Sequence, residues 1–302
     1  MTANQVTIEE QARFEKFLLD LKAQGRTPRT LVAYQQDWQQ FAHWFYETNG
    51  EPFTLERLAL MDMQDYLTWG KGQPLKPSTL NRRIGVLKQY VKWAEAQGLA
   101  AVDQHPRIQK VRLVKRHPLA PQSLPAKQVR KLLKEVERRG SLRDQAILKT
   151  LLFTGLRVGE LAALTRADVI LSERQGTLLI RAANAKGGKE RQVPVPKAAR
   201  EALQAYLEAT PAGPHLFMGR QGALSEAGVA AMLRKYAAWA NLEGITPHIL
   251  RHTFAYNYLE KNNNDVVALA DILGHEDLNT TYLYTKRRLS DLQADVENVQ
   301  FF

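Results

Sequence analysis

The sequence predicts a mainly α-helical protein with a small β-hairpin or sheet insertion, arranged as two domains. Three observations carry this. Apolar residues recur at helical spacing over most of the chain, and two short strand-like runs flank the pair Gly187-Gly188. A proline-containing basic stretch then separates an N-terminal set of helices from the remainder.

The N-terminal set, residues 1–102, reads as a four-helix bundle. Thr7-Ile8-Glu9-Glu10 has the form of a capping box, and Phe14, Phe17, Leu18 and Leu21 then share a face before Gly25. Thr27-Pro28 opens a second helix, with Leu31, Tyr34, Trp38, Phe41 and Phe45 at helical spacing. A third lies within Thr54–Trp69, Gly70–Pro77 is a turn-rich break, and a fourth turns Leu80, Ile84, Leu87, Val91 and Ala94 inward. Trp38, Trp44, Trp69 and Trp93 fall at helical spacing and are read as core, not as a base-stacking platform. Residues 103–124 read as an extended basic linker, because Asp103–Pro125 holds four prolines and five Lys/Arg without periodicity. The second domain, 125–302, has expected helices at Pro125–Arg139, Leu142–Thr154, Val158–Leu164, Lys197–Ala209, Ser225–Ala240, Pro247–Glu260, Val266–Leu273 and Asn279–Arg287. Its strands are Leu178–Arg181 and Arg191–Val195, joined by the Ala182–Glu190 loop, where glycine supplies the positive φ of a tight turn.

Composition narrows the function. The chain has 302 residues, no cysteine and a net charge of +11. Disulfides, cysteine-ligated zinc and thiol catalysis are thereby excluded, and the composition fits a cytoplasmic protein. No apolar run approaches the roughly 18–20 residues that span a bilayer, and MTANQVTIEE is not a secretory signal. The charge is concentrated: residues 103–140 hold eleven Lys/Arg against three Asp/Glu, whereas the segment after Ser290 is acidic. Such a stretch points to a polyanion partner. Arg26, Arg29, Lys76, Arg82, Arg83 and Lys88 lie at helix starts and polar positions, where phosphate contact or plain solvation are both open.

Three segments of the second domain carry chemistry: Thr154-Gly155-Leu156-Arg157-Val158-Gly159-Glu160, His248-Ile249-Leu250-Arg251-His252-Thr253-Phe254-Ala255, and Leu273-Gly274-His275 followed by Thr280-Thr281-Tyr282-Leu283-Tyr284. Arg157 and Glu160 share a helix face, as do His248 and Arg251, whereas His252 is expected to point elsewhere in a structural role. Two arginines offer planar, bidentate donors for a phosphate. A tyrosine hydroxyl, with a pKa near 10, needs a base or strong electrostatic help to attack at neutral pH. A histidine can take its proton, and a hairpin lysine can protonate a leaving alkoxide. No acidic cluster for Mg²⁺ is evident, so no metal and no cofactor are expected, and cationic side chains would neutralise charge instead.

These segments, in this order and spacing, resemble the tyrosine recombinase (phage integrase) family, most closely its Xer-like members. The resemblance covers essentially the whole chain, including Thr27-Pro28-Arg29-Thr30 through Tyr34 in the N-terminal bundle. It implies a helical core-binding domain and a catalytic domain forming a clamp on double-stranded DNA that carries a specific recombination site. It also implies a homotetramer, or a heterotetramer with a sister recombinase. By the family pattern Tyr284 attacks the scissile phosphate, giving a 3′-phosphotyrosyl link and a free 5′-hydroxyl. Arg157 and Arg251 would hold the non-bridging oxygens, Lys186 would protonate the leaving oxygen, His248 would assist the tyrosine proton, and His275 would hydrogen-bond a non-bridging oxygen. Glu160 would support the site. Tyr284, not Tyr282, lies at the family's nine-residue step from His275. The family motif Gly-Lys-Gly-x-Lys-x-Arg has Ala185 in place of its first glycine, and Lys189 and Arg191 would contact backbone or balance charge. Expected DNA contacts are Arg29, Arg82, Arg83, Lys88, Arg112, Lys115, Arg116, Arg234 and Lys235.

The tail Ser290–Phe302 would dock into a neighbouring subunit, with packing on its own domain as the alternative. An arm-binding domain and an integron-type insertion are expected to be absent, which favours a resolution or Xer-type role over integration. Two alternatives stay open at this level: a type IB topoisomerase that relaxes DNA without exchanging strands, and a catalytically silent DNA-binding relative.

Overall fold

The computed structural model describes residues 5–99, 105–115, 122–185, 188–211, 213–219, 222–275 and 277–285. The chain forms two bodies, Met1–Pro118 and Leu119–Phe302.

The first body is built on α1 (Ile8–Ala23), α2 (Pro28–Asn49), α3 (Leu60–Lys71), α4 (Pro77–Ala96) and the short α5 (His105–Gln109). Thr7 and Thr27 cap α1 and α2 through their side chains, as the sequence signals required. The core is aromatic: Phe14 stacks on Trp38 at 4.3 Å, and Phe41 meets Tyr66 edge-on at 5.0 Å. The buried carboxylate of Glu10 crosses it. Glu10 accepts from the Tyr90 hydroxyl at 2.7 Å and from the Leu55 amide at 3.1 Å, and pairs with Arg13 at 2.9 Å.

Three expectations need correction here. Trp69 is not core: it is 38% exposed and lies stacked on Tyr66. Gly70 does not break a helix. It sits within α3, where an added Cβ would come within 2.5 Å of the Leu80 side chain, so glycine permits α3 to press against α4. The expected extended linker is, over its described residues 105–115, strapped to the bundle. Ile108 and Val111 are buried in the aromatic core. The Lys88 ammonium donates to the carbonyls of Gln109 at 2.9 Å and Val111 at 2.7 Å. Asn81 exchanges two hydrogen bonds with the Val114 backbone, both at 2.9 Å. Proline content had masked the apolar pair that anchors the segment.

The second body is wrapped around α7 (Leu142–Thr154), on which Ala146, Ile147, Leu148, Leu151 and Leu152 are all buried. Around it lie α6 (Ala126–Arg139), α8 (Val158–Ala163), α9 (Lys197–Ala209), α10 (Glu226–Trp239), α11 (Pro247–Lys261), α12 (Val266–Leu273) and α13 (Leu278–Tyr282). The β insertion is a three-stranded antiparallel sheet, β1 (Val169–Leu171), β2 (Gly176–Ile180) and β3 (Arg191–Pro194), in that order. The hairpin of β2 and β3 was expected; β1 was not, being three residues long. In β2 and β3 Leu178 pairs with Val193 on the core side, and Ile180 pairs with Arg191. A two-residue hairpin, β4 (Met218–Gly219) and β5 (Gly222–Ala223), was likewise unforeseen. The helix expected at Asn279–Arg287 ends at Tyr282, so Tyr284 stands in the turn that follows α13. Among the described residues no helix is long and apolar enough to cross a membrane.

The strap on α4 has a measurable consequence. A hydrogen bond from a charged donor contributes about 1.5–3 kcal/mol. Replacing Lys88 by Met should therefore accelerate amide exchange across residues 107–115 while leaving α1 and α2 protected. Unchanged protection of 107–115 would show that Ile108 and Val111 alone hold the segment.

Candidate active site

The site is organised by the end of one helix. α12 stops at Gly274, whose φ of +63° is the left-handed cap that glycine adopts without strain. The terminal carbonyls of a helix have no partner within it. Here three successive ones each accept from an arginine: Ile272 from Arg191 Nε at 3.0 Å, Leu273 from Arg251 Nη2 at 2.9 Å, and Gly274 from Arg157 Nη2 at 3.0 Å. Gly274 is needed for space as well as conformation, since a Cβ would stand 2.8 Å from the Arg191 guanidinium.

Each arginine is also held from a second direction. Arg157 is the N-cap residue of α8, and Glu160, three residues on, accepts from its backbone N–H at 2.9 Å and its Nη1 at 2.9 Å. The same carboxylate takes a bidentate pair from Arg191, at 3.0 and 2.8 Å. Arg251, on α11 and 4% exposed, donates to the Gly155 carbonyl at 2.7 Å. Gly155 ends α7 at φ +66°, with the Phe254 ring filling the place of a Cβ. Burial works to raise the Glu160 pKa, but the hydrogen bonds and charge of Arg191, and then Arg157, outweigh it and hold the carboxyl below its ordinary value. Burial, with Arg157 nearby, brings the Arg251 guanidinium down to about 10, so it stays charged at neutral pH. Three guanidinium charges face one carboxylate, and the excess is positive.

Hydrogen bonding fixes the state of His275. Arg251 Nη2 lies 2.9 Å from His275 Nε2, and because arginine only donates, that nitrogen accepts. The proton is then on Nδ1, which donates to Thr281 Oγ1 at 2.7 Å. Burial first, and then the three arginines, pull the His275 pKa down to about 4, so the ring is neutral.

Tyr284 is 7% exposed and Tyr282 53%. Burial raises the Tyr284 pKa, while the charges of Arg251 and Arg157 work in the opposite direction. Its hydroxyl lies 2.8 Å from Nδ1 of His252, and its ring meets Tyr256 edge-on at 5.4 Å. His252 therefore does not point away from the site. His248 and His252, four apart on α11, share a face with ring centres 5.6 Å apart.

Sequence reasoning thus missed His252, whereas Arg191 contacts backbone and balances charge as expected. Arg191 stood in the hairpin motif, and its backbone contact was anticipated, but its bidentate partner Glu160 is 31 residues away. Lys186 lies outside the described residues, as do Arg116, Glu276 and the tail beyond Thr285. Lys189 is exposed.

The expected DNA contacts divide. Arg29, Arg112, Lys115 and Arg234 are exposed. Arg83 is committed inward, donating to the Tyr66 hydroxyl at 3.1 Å, and Lys88 to the strap; neither presents the surface cation that was expected. Arg82 pairs with the buried Asp37 at 2.9 Å, and Lys235 lies over the Tyr236 ring at 4.4 Å.

The comparisons with known proteins agree with this architecture. The Phage integrase family model matches residues 122–290, and the Phage integrase, N-terminal SAM-like domain matches residues 14–98. Tyrosine recombinase XerD of Rhizobium meliloti (strain 1021) is 34% identical over 302 residues, covering 93% of this chain and 93% of that protein. Tyrosine recombinase XerC of Herpetosiphon aurantiacus is 30% identical, covering 91% and 90%. Among solved structures, XerH site-specific recombinase bound to difH substrate superposes with a TM-score of 0.71 at 23% identity, covering 94% of this chain and 83% of that one. A lambda integrase (75-356) dimer bound to a COC' core site gives 0.70 at 18% identity, covering 92% and 96%. These two structural likenesses carry the fold alone. The chain belongs to the phage integrase family of tyrosine recombinases. It is an enzyme of site-specific DNA recombination, of Xer type.

The arginine–carboxylate hub makes a pH-dependent contribution to stability. The Glu160 carboxyl titrates below its ordinary value of 4.5 when folded, so its contribution is present above that pH and is lost as pH falls through the folded value. On acidification below about pH 4.5 the melting temperature of the wild type should fall more steeply than that of Glu160→Gln. Parallel curves in calorimetry would mean the carboxylate is not held by its arginines.

Proposed function

We propose that Tyr284 is the nucleophile and that the arginine cluster beside it binds the scissile phosphate of a duplex recombination site. The carrying observation is the buried Tyr284 hydroxyl under the combined charge of Arg251 and Arg157. In this reading Arg157 and Arg251 hold the non-bridging oxygens and stabilise the charge of the pentavalent transition state. Tyr284 Oη bonds to phosphorus and the bond to the 5′-oxygen breaks. The tyrosine proton passes to His248 or is assisted by it, and Lys186 gives a proton to the leaving oxygen. His275 hydrogen-bonds a non-bridging oxygen, and Glu160 keeps Arg157 in place. The 3′-phosphotyrosyl link conserves the bond energy, so rejoining to a second strand requires no ATP.

The substrate in this reading is double-stranded DNA in the cytoplasm, gripped by residues 1–102 and 125–302. The active assembly is a tetramer, of this chain alone or with a sister recombinase. The excess positive charge of the site and the exposed Arg112 and Lys115 support a DNA partner. So does the fold shared with XerH and lambda integrase, which were solved on their DNA sites.

Covalent trapping tests the reading. The duplex is enriched from host genomic fragments by the wild-type protein, nicked next to the cleavage position, and incubated with a chelator present. An SDS-resistant adduct is expected from the wild type and none from Tyr284→Phe, with equal duplex affinity. An adduct that persists in Tyr284→Phe would move the nucleophile, and Tyr282 is then the residue to replace. Relaxation of supercoils with no exchange between two sites would instead favour a topoisomerase.

Affinity should also fall with salt, with a log–log slope near −0.9 for each phosphate neutralised. Arg112→Ala and Lys115→Ala are expected to weaken binding equally on matched and scrambled duplexes, each flattening that slope by about 0.9. A change confined to the matched duplex would assign those residues to base reading.

A further inference from the structure

We infer that His252 aims the nucleophile: as a neutral imidazole it accepts the hydrogen bond of the Tyr284 hydroxyl at Nδ1 and so fixes where Oη lies and which way its lone pairs face. This inference rests on Tyr284 being the nucleophile.

The geometry begins on α11. Successive residues of a helix project about 100° apart. Arg251 and His252, being adjacent, therefore serve two directions from one turn. Arg251 reaches the Gly155 and Leu273 carbonyls and His275; His252 reaches Tyr284. Between these two ends runs a series of hydrogen bonds that the covalent chain closes into a loop. Arg251 donates to His275 Nε2, His275 Nδ1 donates to Thr281 Oγ1, and the Tyr284 backbone N–H donates to the Thr281 carbonyl at 3.0 Å. The Tyr284 hydroxyl then completes the series on His252 Nδ1 at 2.8 Å. Both the backbone and the hydroxyl of Tyr284 are thus referred to the same helix turn that carries Arg251.

The direction of the last bond follows from chemistry. An imidazole nitrogen is a stronger base than a phenol oxygen, so the phenol donates and Nδ1 accepts. Burial, with the charges of His248 and Arg251, brings His252 down to about 4, which keeps that lone pair available at neutral pH. Before attack the proton is turned to His252 and Oη keeps its lone pairs for other directions, as an in-line attack on phosphorus requires; the proton's departure, by way of His248 in the mechanism proposed above, follows as the bond to phosphorus forms. The ring cannot swing freely, since Tyr256 stands edge-on to it and the side chain is buried.

The test separates aiming from proton transfer and from simple packing. Asn places an amide oxygen where Nδ1 stood, accepting a hydrogen bond without acting as a base; Gln places its amide further out. Single-turnover adduct formation is measured on the nicked duplex used above, alongside duplex affinity and melting temperature. His252→Ala should slow adduct formation about 100-fold, the size of effect that a misplacement near 1 Å produces. Duplex affinity should be unchanged. His252→Asn should recover most of the rate, and His252→Gln should not. If the Ala variant does not fold, the Asn–Gln pair decides alone. Wild-type rate in Ala, or a rate above it, would overturn the inference, as would a folded Asn variant no faster than Gln. Failure of the wild type itself to form an adduct would bring down the Tyr284 reading, and this inference with it.

Discussion

The C-terminus of α12 is the constraint on which the rest of the site depends. A helix end carries partial negative charge and unpaired carbonyls, and it ordinarily satisfies them with water or a single basic side chain. Here Ile272, Leu273 and Gly274 take three arginines from three different elements, β3, α11 and the start of α8. Three guanidinium groups in one place repel one another. The helix end and Glu160 absorb part of that repulsion and leave the remainder directed at whatever anion enters. Glu160 binds Arg157 and Arg191 together, so the carboxylate couples the β hairpin to α8. Arginine is suited to this because its planar fork can hold a carbonyl and a carboxylate at once and never loses its charge near neutrality.

Much of the fold was legible because its elements are locally consistent. α7, α9 and α12 have the limits read from periodicity, and the caps Thr7 and Thr27 stand where the sequence placed them. The site was legible as a set of residue types in order, which is how Arg157, Arg251, His275 and Tyr284 were found. What local reasoning lost were relations between distant positions. No spacing rule connects Glu160 to Arg191, or Lys88 to the carbonyls of 109 and 111. The error over His252 is different, because helix geometry already argued against it. At about 100° per residue, position i+4 returns closer to i than i+3 does. His252 shares the His248 face at least as well as Arg251.

Burial sets the protonation pattern of the site before any phosphate arrives. It lowers His252 and His275 to about 4 and raises Tyr284, so both rings are neutral and the phenol keeps its proton. In the proposed mechanism the DNA-free enzyme thus holds Tyr284 placed but not ionised. A bound phosphate would offset part of the positive field that these groups feel. Its negative charge would favour a protonated His275, while the arginines that it engages stop acting on that ring as bare like charges. In the proposed mechanism the substrate thus prepares His275 to donate to it.

His275 carries the same logic into geometry. Its Nε2 is an acceptor occupied by Arg251, and its Nδ1 proton is committed to Thr281. A phosphate oxygen in front of Arg251 would compete for the same Nη2 proton and free His275 Nε2 from its partner. To donate to that oxygen, as the proposed mechanism requires, His275 must become protonated, which the incoming anion favours. Nδ1 would keep its bond to Thr281 throughout, so the ring need not turn and the Thr281 carbonyl need not release the Tyr284 amide. The change is confined to one proton on Nε2. In the proposed mechanism phosphate would be bound by adding a proton to a fixed ring rather than by moving the ring, which would leave the backbone of Tyr284 where it stands without DNA.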